Sequence, residues 1–371
     1  MSATWGRNFK VTIFGESHGA GIGVVIDGVP SGLMIDNKRM ITQMERRRPG
    51  RDEISTPRTE SDLPETISGV FDGKTTGAPL CAMIRNNDTR SHDYEATKDL
   101  IRPGHADFTA HVKFGGHNDH RGGGHFSGRL TAGLVYAGTI ALQVLDGYGI
   151  SIGAHISSIS DIRDIGFDLS DIGSDKFKVI SEKRFPVIDD TAGVKMISAI
   201  SAARDAGDSV GGVIECAAAG LPAGLGEPFF DSVESLISHL AFSIPGVKGV
   251  EFGGGFAMSA MKGSSANDTP YMDDCKISTR TNYSGGVNGG ITNSMPVVFR
   301  VAVKPTSSIS RRQDTVDFSE MRDSAIEIRG RHDPCIVPRA VPVVECAAAI
   351  AILDMLMSDR AVNGGRLDEK H

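Results

Sequence analysis

The residues best equipped for chemistry lie between positions 115 and 133, where the chain reads GGHNDHRGGGHFSGRLTAG ahead of an uninterrupted apolar run over 134–145. His117, His120, His125, Asp119, Arg121 and Arg129 crowd a loop that feeds a helix. Gly122, Gly123 and Gly124 admit backbone conformations that other residues resist, and let a ligand approach bare amides. Ser127 stands where the helix should begin, so its hydroxyl and the unpaired amides of the first turn suit an anion such as phosphate. A capped surface loop would explain the glycines. It would not explain so many histidines and arginines beside so few Ser, Lys and Glu.

Other clusters carry the same suggestion. A short strand over 11–14 runs into Gly15-Glu16-Ser17-His18-Gly19, a strand end of the kind that presents reactive groups to a cleft. Arg46, Arg47 and Arg48 close a helix, and Arg51 and Arg58 follow on a polar loop. Cations favour any helix C-terminus, yet so many arginines in an acidic chain exceed what a cap needs. They suit a ligand with several negative charges, which arginine grips in two-pronged geometry. In Arg102-Pro103-Gly104-His105-Ala106-Asp107, the aspartate either orients the histidine ring or caps the next turn. Lys304-Pro305-Thr306-Ser307-Ser308 offers one cation and three hydroxyls to a phosphate.

The elements that must hold these groups follow from pattern. Strands are expected over 11–14, 21–29, 67–71, 79–84, 150–159, 210–217, 249–258 and 295–303, with Gly73-Lys74-Thr75-Thr76-Gly77 as a turn. Asp36 caps a helix that runs through Arg48 with Met40, Ile41 and Met44 inward. Further helices are expected over 134–145, 192–206, 231–242 and, rich in alanine, 341–357. Residues 85–109 and 262–290 read as long polar loops, and 162–185 as a charged insertion without legible chemistry. This order gives α/β or α+β layers. No linker divides the chain, so 1–371 reads as one domain. The pentapeptide Glu215-Cys216-Ala217-Ala218-Ala219 echoes Glu345-Cys346-Ala347-Ala348-Ala349, the mark of a possible internal duplication.

Composition narrows the partners. A length of 371 residues with 40% hydrophobic content supports a sizeable core, and the 45 glycines fall between apolar segments as tight turns. The net charge of -7 argues against a nucleic-acid partner, so any anion is held by local cationic clusters. Five cysteines without metal-type spacing fit reduced thiols in a cytoplasmic protein. No signal pattern and no membrane-spanning stretch is legible.

Two functional readings compete on residues alone. His105, His111, His117, His120 and His125 with Asp119 suggest a metal-dependent hydrolase, although their spacing matches no metal motif and includes no helical His-x-x-x-His pair. The other reading is a phosphorylated ligand or cofactor held by Ser127, Lys304 to Ser308 and the arginines. Neither a Gly-x-Gly-x-x-Gly turn after a strand nor a P-loop occurs, which speaks against a dinucleotide or nucleotide-triphosphate fold.

The motifs, taken in order, closely resemble one family, chorismate synthase. They are Phe14-Gly15-Glu16-Ser17-His18-Gly19, Asp27-Gly28-Val29-Pro30, Arg46-Arg47-Arg48-Pro49-Gly50, Arg102 to Asp107, Gly285-Gly286 with Gly289-Gly290, Lys304 to Ser308, and Gly330-Arg331-His332-Asp333-Pro334-Cys335. One departure stands at 125–130, where the family pattern Arg-Ser-Ser-Ala-Arg-Glu is replaced by His125-Phe126-Ser127-Gly128-Arg129-Leu130. The resemblance implies a homotetramer in which helices lie between antiparallel sheets. It implies a carbon-oxygen lyase that removes phosphate and the C6 proton from 5-enolpyruvylshikimate 3-phosphate, a 1,4-anti elimination giving chorismate, with reduced FMN as cofactor. By the same resemblance His18 and His105 act as general acids, His18 near the leaving phosphate and His105 near the flavin, and Asp333 with Ser17 relays a proton at flavin N5. Cofactor contacts fall to Arg47, His125, Phe126, Ser127, Gly289, Lys304, Pro305, Thr306, Ser307, Ser308 and Arg331, and substrate contacts to Arg48, Arg129 and Arg339.

Overall fold

Alternation of buried and half-buried residues, as along Val297–Val303, builds the strands, and every strand pair among the described residues is antiparallel. The computed structural model describes residues 3–50, 60–87, 98–168, 172–274, 276–328 and 332–363. One five-stranded sheet runs Thr4–Trp5, Lys10–Gly15, Gly21–Asp27, Leu80–Arg85, Glu65–Ser68 in spatial order. A second runs Val247–Phe252, Val297–Val303, Gly212–Ala219, Ser151–Ile159, Ile162–Arg163.

The helices are α1 (Asn37–Arg47), α2 (Asp107–Phe114), α3 (Thr131–Asp146), α4 (Ser174–Glu182), α5 (Asp190–Asp205), α6 (Val233–Ser243), α7 (Gly263–Ala266) and α8 (Val337–Asn363). α3 packs on the first sheet and on α8, which packs on the second sheet, with α1 and α6 alongside. The two long helices meet at Gly138, where an added Cβ would lie 2.1 Å from the Cβ of Cys346. Any side chain there would push α3 and α8 apart. Both helices are buried on almost every face, and that explains their uniform apolarity.

Several expectations need correction. No membrane-spanning stretch was legible, yet Gly128–Asp146 and Val337–Ala361 are long and apolar enough to span one; 89% and 94% of these windows lie buried inside the fold, as core helices do. Ile41 is 42% exposed and points away from the buried Met40 and Met44. The helix α8 begins at Val337, ahead of the expected 341, and α2 begins within the stretch read as loop and runs past its end. Lys74–Thr75, read as a turn, pairs with Val70–Phe71 as a small hairpin. Gly249–Met258 does not stay extended, since the strand ends at Phe252 and a 3-10 turn follows over Gly255–Ala260. Glu215 to Ala219 is strand while Glu345 to Ala349 is helix, so the two pentapeptides form no repeated unit.

The charged insertion has a structural task. Asp164 accepts from His155 Nδ1 at 3.0 Å and from the backbone amides of Ile188 and Asp189 at 2.6 and 2.9 Å, tying this segment to the second sheet. The other ring nitrogen of His155 meets Glu215 Oε2 at 3.0 Å. Burial opposes charge on that ring, but the two carboxylates outweigh it and raise the His155 pKa.

Candidate active site

The glycine turn draws two distant loops together. Gly122, Gly123 and Gly124 have φ of 59°, 87° and 52°, a conformation that side chains strain. A Cβ on Gly122 would lie 2.9 Å from His18 Nε2 and 3.0 Å from Ser17 Oγ, and one on Gly123 would lie 3.2 Å from His105 Nε2. Only glycine fits between these groups. The Gly124 carbonyl accepts from the Ser17 amide at 3.1 Å, and His125 Nδ1 donates to the Gly15 carbonyl at 2.9 Å. Beyond the turn, Ser127 caps a short 3-10 segment, Gly128–Leu130, that continues directly into α3, as its place in the sequence suggests.

This turn forms one wall of a cavity of about 670 Å³. His105, His125, Phe126 and Ser127 face it, as do Lys304 through Ser308, Arg47, Arg129, Arg339 and Asp333. Residues from five separated segments of the sequence thus converge on one cavity.

Arginines dominate one part of the lining. Arg47, from the last turn of α1, is buried; its Nη1 donates to Asp62 Oδ2 at 2.7 Å. The same carboxylate receives Arg129 Nη1, and Arg129 Nε donates to Asn86 Oδ1 at 3.0 Å. Arg339, near the start of α8, pairs with Asp333 and donates through Nε to the Arg47 carbonyl at 3.0 Å. Burial, with repulsion from Arg339 and Arg129, lowers the Arg47 pKa to about 10, against the attraction of Asp62. Arg47 stays charged at neutral pH. Its Nη2 is buried and has no hydrogen-bond partner among the described residues. A buried donor left unmade costs roughly 1–3 kcal/mol, so this corner is built for an anion.

The lysine part differs in kind. Lys304 Nζ donates to the Gly104 carbonyl and to Ser307 Oγ, the latter at 2.9 Å, while Thr306 Oγ1 is buried without a partner among the described residues. Burial and the neighbouring Lys248 ammonium lower the Lys304 pKa. An ammonium with adjacent hydroxyls matches a phosphate group.

Other expected residues lie elsewhere. Ser17 and His18 stand behind Gly122 and do not line the cavity. Ser17 Oγ is buried with no partner among the described residues, so no direct hydrogen bond joins it to Asp333, whose carboxylate faces Arg339. Arg48 caps α1 and sits 3.8 Å from Glu45; its neighbour Pro49, not Arg48 itself, lines the cavity. Gly289 also lies apart from this cavity. It sits in the hairpin Val287–Asn288/Ile291–Thr292, which meets the N-terminus of α6 through the Gly290 carbonyl and Val233 amide. The cavity touches the opposite end of α6, at Phe242 and Ser243. Eleven helical residues, about 16 Å, separate the two. Arg331, Arg51 and Arg58 lie outside the described residues.

Sequence reasoning missed His332, Arg102, Asp62, Pro245, Gly246 and Lys248. His332 and Arg102 were inside motifs already quoted and went unassigned. The segment 245–248 and Asp62 carried no signal, because a helix-to-strand junction and a lone aspartate are unremarkable until the chain folds. His332 lines the cavity with a buried Nε2 that has no partner among the described residues; burial, then Arg102, push its pKa down to about 4, so it is neutral. The hydrolase reading gains no support, since no metal-holding group of His, Cys, Asp or Glu is found among the described residues. His105 and His125 already spend Nδ1 on Asp107 and Gly15.

Comparison with known proteins agrees with the motifs. The profile of the family described as chorismate synthase matches residues 9–357. A chorismate synthase of Pyrococcus abyssi is 47% identical over 355 residues, covering 96% of this chain and 98% of its own. One from Dehalococcoides mccartyi is 46% identical over 357 residues, covering 96% and 97%. A crystal structure of chorismate synthase superposes with a TM-score of 0.75 at 26% identity, covering 96% of this chain and 93% of that one. The chain belongs to the chorismate synthase family.

Proposed function

We propose that this cavity is the active site in which 5-enolpyruvylshikimate 3-phosphate loses phosphate and a proton to become chorismate, with reduced FMN bound beside it. The observation that supports it is a pair of orphaned buried donors, Arg47 Nη2 and Thr306 Oγ1, on residues lining one cavity. Both await an anionic ligand. The residues fit FMN: Lys304, Thr306, Ser307 and Ser308 offer a cation and hydroxyls to its phosphate, and His125, Phe126 and Ser127 offer one wall to its ring. A bound reduced flavin would supply an electron-rich partner for an elimination that has no carbonyl to take up charge.

The remaining chemistry belongs to the chain. Arg129 and Arg339 hold the substrate's carboxylates and phosphate in fixed orientation, Arg47 beside them is a cofactor contact, and Arg48, outside the cavity lining, does not reach the ligands directly. His105, which lines the cavity, and His18, which stands behind Gly122, are the general acids, His18 toward the leaving phosphate. Asp333 handles a proton beside Arg339, while Ser17, buried behind Gly122, makes no direct hydrogen bond to it. Gly289 is left out of the set that this cavity supplies.

The broader reading is a cytoplasmic homotetramer whose subunits place a helical layer between two sheets. Phe229, Phe230 and Phe256, exposed by 88%, 90% and 81%, are surfaces that such an assembly would cover. The test of the site is His18→Ala and His105→Ala: each should lower turnover by about 10²- to 10⁴-fold while FMN and substrate still bind. Wild-type turnover in both variants would overturn the assignment.

A further inference from the structure

The geometry points to Asp107 as the residue that fixes His105 in one tautomer, Nδ1 protonated and Nε2 free for the ligand. The inference rests on the proposed acid role of His105. The sequence allows Asp107 two tasks, orienting the ring or capping a turn. The cap position of α2 is Ala106, and no side chain caps that helix. Asp107 Oδ1 accepts from His105 Nδ1 at 2.7 Å and from Arg102 Nη2 at 2.6 Å; Oδ2 accepts from Arg102 Nε at 2.8 Å and the Arg102 amide at 3.0 Å. Both oxygens are spent within one short segment, on the ring and its neighbour.

An ionised carboxylate only accepts, so the hydrogen in the 2.7 Å contact belongs to Nδ1. Arg102 Nη2 also lies 3.1 Å from Nδ1, but two donors cannot satisfy each other, and the carboxylate contact is the shorter. In the neutral ring the lone pair therefore falls on Nε2. Gly123 sits at that edge and, having no side chain, leaves it uncovered. Protonated His105 gives its Nε2 proton to the ligand and returns to the same tautomer, with no ring flip.

Asp107 itself does not carry the proton. Burial favours its neutral form, yet hydrogen bonds from Arg102 and His105 outweigh that and hold its pKa well below the usual carboxylate range. It stays ionised wherever the enzyme works. The charged and titratable groups facing His105 are Arg102 and Asp107 on its own segment and His332 from the segment leading into α8, which is neutral. Asp107 is a positioning residue, and Arg102 clamps it from the other side.

The wild-type protein provides the first test. With 15N-labelled histidine, the ring of neutral His105 should show a protonated Nδ1 and an unprotonated Nε2; the opposite tautomer would overturn the inference. In Asp107→Asn, kcat should fall about 10²-fold, the lower end of a positioned acid's contribution, with KM changed less than about threefold and a second tautomer appearing in the spectrum. Full kcat in Asp107→Asn, alongside an inactive His105→Ala, would sink this inference alone. Full kcat in His105→Ala would instead sink the acid role beneath it. Asp107→Glu, which retains the ionised, acceptor-only carboxylate, should recover part of the lost kcat; a variant as slow as Asp107→Asn would count against positioning.

Discussion

Arg339 pairs with Asp333, six residues earlier, and the same guanidinium reaches the Arg47 carbonyl. One side chain therefore links Arg47 to Asp333, the aspartate proposed to handle a proton. Asp333→Asn keeps the size of the residue and an acceptor for Arg339 but cannot take a proton. We expect a folded protein whose kcat is lower by at least about 10²-fold. Steady-state kinetics beside a circular dichroism spectrum decide it, and normal turnover would reduce Asp333 to a turn residue.

Arg47 separates charge from geometry. Arg47→Lys keeps one positive charge but loses the fork, so the free Nη2 contact disappears. The KM for reduced FMN should rise by roughly tenfold or more, corresponding to a charge-assisted hydrogen bond of about 1.5–3 kcal/mol. Arg47→Met leaves Asp62 to Arg129 alone and should cost about 3–5 kcal/mol of stability, as breaking a buried pair does. Kinetics on the first variant and denaturant unfolding of the second report the two effects. An unchanged KM in Arg47→Lys would remove Arg47 from the ligand site.

Gly122 tests the convergence of the loops. Gly122→Ala would force a side chain into a φ of 59° and within 2.9 Å of His18 Nε2. A stability loss of about 1 kcal/mol or more should accompany a drop in turnover. Gly263→Ala, where an added Cβ meets nothing within 4 Å, is the control. Equal behaviour of the two variants would show that the His18 loop is not packed on the turn.

These contacts also mark how far the sequence could be read. Ser127 as a helix cap, the strand before Ser17 and the cluster Lys304 to Ser308 were legible, because each depends on neighbours within a few residues. What brings them together is not local: His18 meets Gly122, and Arg46 pairs with Glu345 across the core. No period or composition encodes such pairings. Gly289 stands apart for the same reason, since a motif says what a residue resembles and not which end of α6 it reaches. The task of the insertion was hidden because Asp164 acts only once His155 is beside it.

The His155 cluster predicts a pH dependence of stability. His155 has a raised pKa in the fold, so the folded state holds the proton more tightly than the unfolded chain. That contribution is complete below about 6.5, the unfolded value, and is lost as pH rises through the folded one. Asp164 and Glu215 are lowered, so theirs is present above about 4 and lost on acidification. Thermal melting of wild type should therefore fall more steeply above pH 6.5 than that of His155→Gln. Parallel profiles would mean that the ring is not charged in the folded protein.

The central claim is that this chain performs the elimination in its own cavity with reduced flavin. The direct measurement is anaerobic incubation of the purified protein with dithionite-reduced FMN and 5-enolpyruvylshikimate 3-phosphate, following chorismate absorbance and free phosphate together. Equal amounts of chorismate and phosphate, dependent on reduced FMN and unaffected by a chelator, are the predicted result. Phosphate release without chorismate, abolished by the chelator and restored by zinc, would contradict the account.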